Sequence, residues 1–68
     1  MEKLKEKITE SGYKLAFLAS KLGLSRYGLA LKLNGTNEFT VYEAVTLSNL
    51  LGLSKDDIIE IFFSQKVD

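Results

Sequence analysis

Residues 14–35 read KLAFLASKLGLSRYGLALKLNG, and their spacing decides the fold. Leu18, Ala19 and Leu22 recur at helical intervals, and Ala19 is small enough for another helix to cross closely. Gly23 supplies a turn, with Leu24 plugging beneath it. Ser25 then stands as an N-cap whose hydroxyl oxygen accepts from the N–H groups of the next turn, opening a second helix that buries Leu29 and Leu33. Asn34 and Gly35 close that helix, since both tolerate left-handed backbone. Two short helices joined at a glycine make the helix-turn-helix pattern, which points to duplex DNA.

The same signals recur outward along the chain. A first helix is predicted over residues 2–11, with Leu4 and Ile8 on one face and Gly12 closing it. A second begins near Lys14. Beyond Gly35, Thr36, Asn37 and Glu38 form a loop, and Phe39 returns to the core. Thr40 with Glu43 is a capping box that opens a fourth helix, with Ala44, Leu47 and Leu51 inward and Gly52 as its stop. Ser54 with Asp57 repeats the signal for a fifth, shorter helix, whose acidic first turn suits the helix dipole. In the run IIEIFF over residues 58–63, Ile58 and Phe62 face inward. Ile59, Ile61 and Phe63 are left as a surplus that either packs back on the core or forms a twofold dimer seam. The expectation is an all-α, five-helix single domain over residues 1–68.

At 68 residues, burial of surface only just offsets chain entropy, so nearly every apolar position is needed in the core. The chain has no cysteine and no histidine. Disulfides, thiolate zinc sites and thiol nucleophiles are thereby excluded, as are Ser/His/Asp triads and His-rich metal sites. Asp56 and Asp57 are adjacent at a helix start, where capping explains them, and no Gly-rich phosphate loop is present. No enzyme activity and no cofactor are expected. The apolar runs are too short to cross a membrane and MEKLKEK lacks a signal peptide's apolar centre, so a soluble, cytoplasmic protein with no membrane partner is expected.

The net charge is zero, but the charges are unevenly placed. Residues 1–35 hold seven basic and three acidic residues, and residues 36–68 hold two basic and six acidic. A basic half carrying the helix-turn-helix and an acidic half behind it suit a DNA-facing surface. Lys3, Lys5 and Lys7 are better explained as solvation of the first helix.

The chain resembles the lambda-repressor-like (Cro and cI, or Xre-type) DNA-binding domains over nearly all of residues 4–62. The likeness rests on Leu18-Ala19, on Lys21-Leu22-Gly23-Leu24-Ser25-Arg26, on Lys32-Leu33-Asn34-Gly35, on Glu38-Phe39-Thr40 and on Leu50-Leu51-Gly52-Leu53-Ser54. It is greatest to small phage-encoded members that end soon after a fifth helix. The resemblance implies a phage or prophage transcriptional regulator that binds a near-palindromic operator as a dimer and acts by occupancy.

A helix-turn-helix places the start of its second helix in the major groove. Here that start supplies Arg26, Tyr27, Gly28 and, one turn on, Leu31 as base contacts. Arg26 either donates two hydrogen bonds to guanine or holds a phosphate. Tyr27 either meets a base, a phosphate or a thymine methyl, or packs against helix two. Phosphates are expected at Lys14, Leu15, Ser25, Lys32, Asn34, Thr36 and Asn37. About six such contacts per dimer imply a log–log salt slope of about −5.

Some residues depart from the family pattern. Leu15 replaces a common glutamine, Phe17 a usual charge, Gly28 a threonine or serine, and Ala30 and Leu31 usual polar residues. Three readings follow. Apolar groups contact thymine methyls while Gly28 permits close approach, or the face docks a protein partner such as another regulator or a polymerase subunit, or Leu15 and Phe17 are extra core.

Overall fold

Glycine stops and hydroxyl caps divide the chain into five helices: α1 (Glu2–Ser11), α2 (Leu15–Leu22), α3 (Arg26–Leu33), α4 (Val41–Leu51) and α5 (Lys55–Ile58). The last continues directly into π-helical turns at Ile59–Phe63. The computed structural model describes residues 1–63, and all regular structure among them is helical. Of the domain expected over residues 1–68, residues 64–68, with Lys66 and Asp68 of the charge count, lie outside the described residues.

The caps form where local chemistry places them. The Ser25 hydroxyl accepts from the Gly28 N–H at 2.9 Å, and the Ser54 hydroxyl from the Asp57 N–H at 3.1 Å. At α4 the box is reciprocal, because Thr40 Oγ1 accepts from the Glu43 N–H while Glu43 Oε1 accepts from the Thr40 N–H. At Gly23, φ is +74°, and the following Leu24 N–H reaches back to the Ala19 carbonyl at 2.9 Å. This left-handed stop satisfies an orphan carbonyl and aims Leu24 at the core. The end of α3 differs in detail from expectation. Asn34 stays right-handed at φ −85°, and Gly35 alone takes the positive φ, letting the Thr36 N–H bond the Leu31 carbonyl.

Leu4, Leu18, Leu29 and Leu47, one from each of α1 to α4, are the fully buried side chains, joined by Ile8, Ala19, Leu22 and Leu33. Full burial of one such side chain contributes about 1.5–3 kcal/mol. Leu15, Leu24, Phe39, Leu50, Leu51, Ile61 and Phe62 pack against this cluster while remaining partly exposed. Phe39 and Phe62 meet edge to face, 5.6 Å between centroids, which fixes the α3–α4 loop against the C-terminal turns. Of the surplus, Ile61 packs back against the core cluster with Phe62, one of the two outcomes expected for it. Ile59 and Phe63 remain the exposed surplus.

The α1 lysines do more than solvate their helix. Lys3 Nζ contacts Glu60 at 2.9 Å and Asp57 at 3.2 Å, and Lys7 reaches Asp57 at 3.4 Å. These pairs tie α1 to α5 and the turns that follow it, and solvent screening keeps each exposed pair weak. No described helix is long and apolar enough to cross a membrane.

Candidate nucleic-acid interface

Helices α2 and α3 pack against each other across the turn at Gly23, Leu24 and Ser25. The capping bond at Ser25 sets where α3 begins and therefore which residues stand at its exposed tip. Arg26 is the first helical residue and exposed, and Tyr27 follows with 72% of its surface exposed, so its ring does not pack on α2. Gly28 and Leu31 are half-buried on the same helix. A Cβ at Gly28 would lie 3.1 Å from Ser25 Oγ and otherwise meet nothing within 4 Å.

Lys14 is the N-cap of α2, exposed, and offers no side-chain cap to the helix. That leaves the amide end of α2 open, in contrast to α3, α4 and α5, which serines and a threonine close. An uncapped helix N-terminus carries partial positive charge suited to a phosphate. Leu15 is half-buried and packs on the core, which accounts for an apolar residue in this slot. Asn34, Thr36 and Asn37 are exposed in the loop after α3.

Lys32 stands apart from the other residues expected to touch phosphate. Its Nζ donates to Glu43 Oε1 at 2.6 Å, its side chain is only 14% exposed, and it lies 6.0 Å from the centre of the Phe39 ring. The ammonium thus faces Glu43 and the core edge. Burial tends to raise the Glu43 carboxyl, but the Lys32 ammonium and the Thr40 N–H more than offset it and hold its pKa below the ordinary value.

These ion pairs redistribute the charge that the sequence presents. Lys3, Lys5, Lys7 and Lys32 all have carboxylate partners. Among the described residues, Lys14, Lys21, Arg26 and Lys55 have none within 4 Å. Three of these four stand at the N-cap of α2, within α2 and at the first residue of α3. No Asp or Glu occurs between Glu10 and Glu38, so nothing local neutralises them.

One feature of α2 went unread in the sequence. Tyr13 and Phe17 stack with centroids 5.1 Å apart, and Lys21 Nζ lies 5.5 Å from the Phe17 ring centre. The four-residue spacing of Tyr13, Phe17 and Lys21 was the available signal. Against known protein families, characterised proteins and solved structures, the chain shows no significant match.

Proposed function

We propose that the protein binds duplex DNA in a sequence-dependent manner, with α2 and α3 acting as a helix-turn-helix of the lambda-repressor-like kind. The observation that carries this reading is the carboxylate-free stretch from α2 to the loop after α3, with Lys14, Lys21 and Arg26 exposed on it and without a carboxylate partner among the described residues. Such a surface attracts phosphates, and the exposed Arg26 and Tyr27 at the tip of α3 would meet base edges. Lys14 and the open N-terminus of α2 hold a phosphate on one side, with Asn34, Thr36 and Asn37 on the other. The role would be that of a phage or prophage regulator acting by operator occupancy.

A dimer on a twofold operator is part of the proposal. Val41, Tyr42 and Val45 of α4 are exposed together with Ile59 and Phe63, beside a shallow groove of about 110 Å³ whose walls include Val41, Val45, Ile58 and Phe63. An exposed apolar patch of this kind suits a self-complementary seam. The same patch favours the second reading, a protein-interaction module with weakened DNA binding.

Selection of binding sites from a randomised duplex pool, at low and moderate salt, tests the two. Enrichment of a sequence with twofold symmetry supports the DNA reading. Absence of enrichment, together with no salt-sensitive retention of bulk duplex, rejects it in favour of a protein partner.

A further inference from the structure

We propose that the outer face of α2 is a docking site for an acidic segment of another protein that carries an apolar anchor. Tyr13 and Phe17 present a stacked pair of rings outside the core cluster, 42% and 40% exposed. The platform is held before any partner arrives. The Tyr13 N–H donates to Ser11 Oγ at 3.1 Å, that hydroxyl donates to the Ile8 carbonyl at 2.6 Å, and Phe17 is fixed in the first turn of α2. A rigid aromatic surface binds with little ordering cost.

Charge complementarity identifies the occupant. Lys14 and Lys21 flank Phe17 along one side of α2, two helical turns or about 10 Å apart, and neither has a carboxylate within ion-pair distance among the described residues. A partner helix carrying carboxylates two turns apart, with an apolar side chain between them, matches that pattern. The rings favour protein over nucleic acid. The outside of a duplex offers phosphates and sugars with its base faces closed, whereas stacked aromatics gain most when an apolar side chain covers them. The exposed Ala16 and Ser20 on the same helix are small and leave the approach to the rings open.

Selection from short randomised peptides against the wild-type protein tests this, followed by nitrogen-15 NMR mapping with the best peptide. The expected peptides combine Asp or Glu with a Leu or aromatic residue and shift the signals of Tyr13, Phe17, Ser20 and Lys21. Phe17→Ala and Lys21→Glu should each weaken binding at least about tenfold, while Arg26→Ala leaves it unchanged. Phe17 lies outside the core cluster, so circular dichroism should show an intact fold in that variant. Peptides without acidic bias, no enrichment, or binding indifferent to both substitutions would overturn the proposal. So would a duplex that displaces the peptide and loses affinity in Phe17→Ala, which would assign the face to DNA. Peptide failure with duplex binding intact removes this inference alone, and peptide binding without duplex binding removes only the DNA reading.

Discussion

Lys32 and Glu43 meet at 2.6 Å across eleven residues of chain, joining the last turn of α3 to the first turn of α4, with side chains 14% and 10% exposed. The same Glu43 oxygen closes the α4 capping box. One carboxylate therefore fixes both the start of α4 and the end of α3.

Glu43→Gln preserves an oxygen for the Thr40 N–H but leaves the Lys32 ammonium without its counter-charge. Loss of one partner from a buried pair costs about 3–5 kcal/mol, a large share of the stability of so small a domain. Urea unfolding should show that loss, and the double variant Lys32→Met with Glu43→Gln should recover most of it. An unchanged midpoint in the single variant would mean that water already satisfies the ammonium.

Acid should destabilise the fold through two carboxylates. The pKa of Asp57 is lowered, chiefly by its hydrogen bond from Lys3, and that of Glu43 is lowered by Lys32 and Thr40 against the opposing effect of burial. A group whose folded pKa lies below its unfolded value contributes stability above the unfolded pKa and loses it as pH falls through the folded one. The melting temperature should thus decline from about pH 5 downward. In Glu43→Gln that decline should be shallower, and equal slopes would show that Glu43 does not carry the linkage. The raised pKa of Lys3, due first to Glu60 and then Asp57, acts in the opposite direction: its contribution disappears only as pH rises past the ordinary lysine range.

Much of the fold was legible because its signals are local. Ser25, Thr40 and Ser54 each cap a backbone N–H three residues on, and Gly23, Gly35 and Gly52 sit at positive φ where helical spacing ends. Contacts between distant segments left no such trace. Nothing near Lys32 in the chain announces Glu43, and Lys3 is paired with Asp57 and Glu60 more than fifty residues away. Both pairs neutralise lysines, so the basic half counted from sequence overstates the unpaired positive charge. For Ile61 the sequence left core packing and a dimer seam open, and the π-helical turns that carry it onto the core have a register that a 3.6-residue period does not give.

Gly28→Ala should stabilise the fold by up to about 1 kcal/mol, since glycine inside a helix carries a backbone entropy cost. The added Cβ would meet only Ser25 Oγ, at 3.1 Å. Glu43 and Asp57 occupy the equivalent position behind Thr40 and Ser54 and carry a Cβ without losing the capping bond. A lower thermal midpoint would show that Ser25 cannot yield. A higher midpoint with weaker operator binding would show that the duplex approaches this glycine closely.

Phe63→Asp places a charge on the exposed apolar patch without entering the core, for Phe63 is 64% exposed. Sedimentation should show a shift from dimer toward monomer with helical content unchanged. An unchanged species would remove Phe63 from the seam.

Arg26→Ala tests the tip of α3 directly. Arg26 is the first residue of the helix, exposed, and has no carboxylate partner among the described residues, so its removal disturbs neither packing nor an ion pair. If its guanidinium donates to a base, specific affinity falls by about 1–3 kcal/mol and discrimination relaxes at one position of the site. If it holds only a phosphate, affinity falls evenly across sequences and the log–log salt slope decreases by about one. Binding curves for the selected site and a scrambled duplex, each at several salt concentrations, separate these outcomes. Unchanged affinity for both duplexes would remove Arg26 from the interface and place the reading of the site on Tyr27 and Leu31.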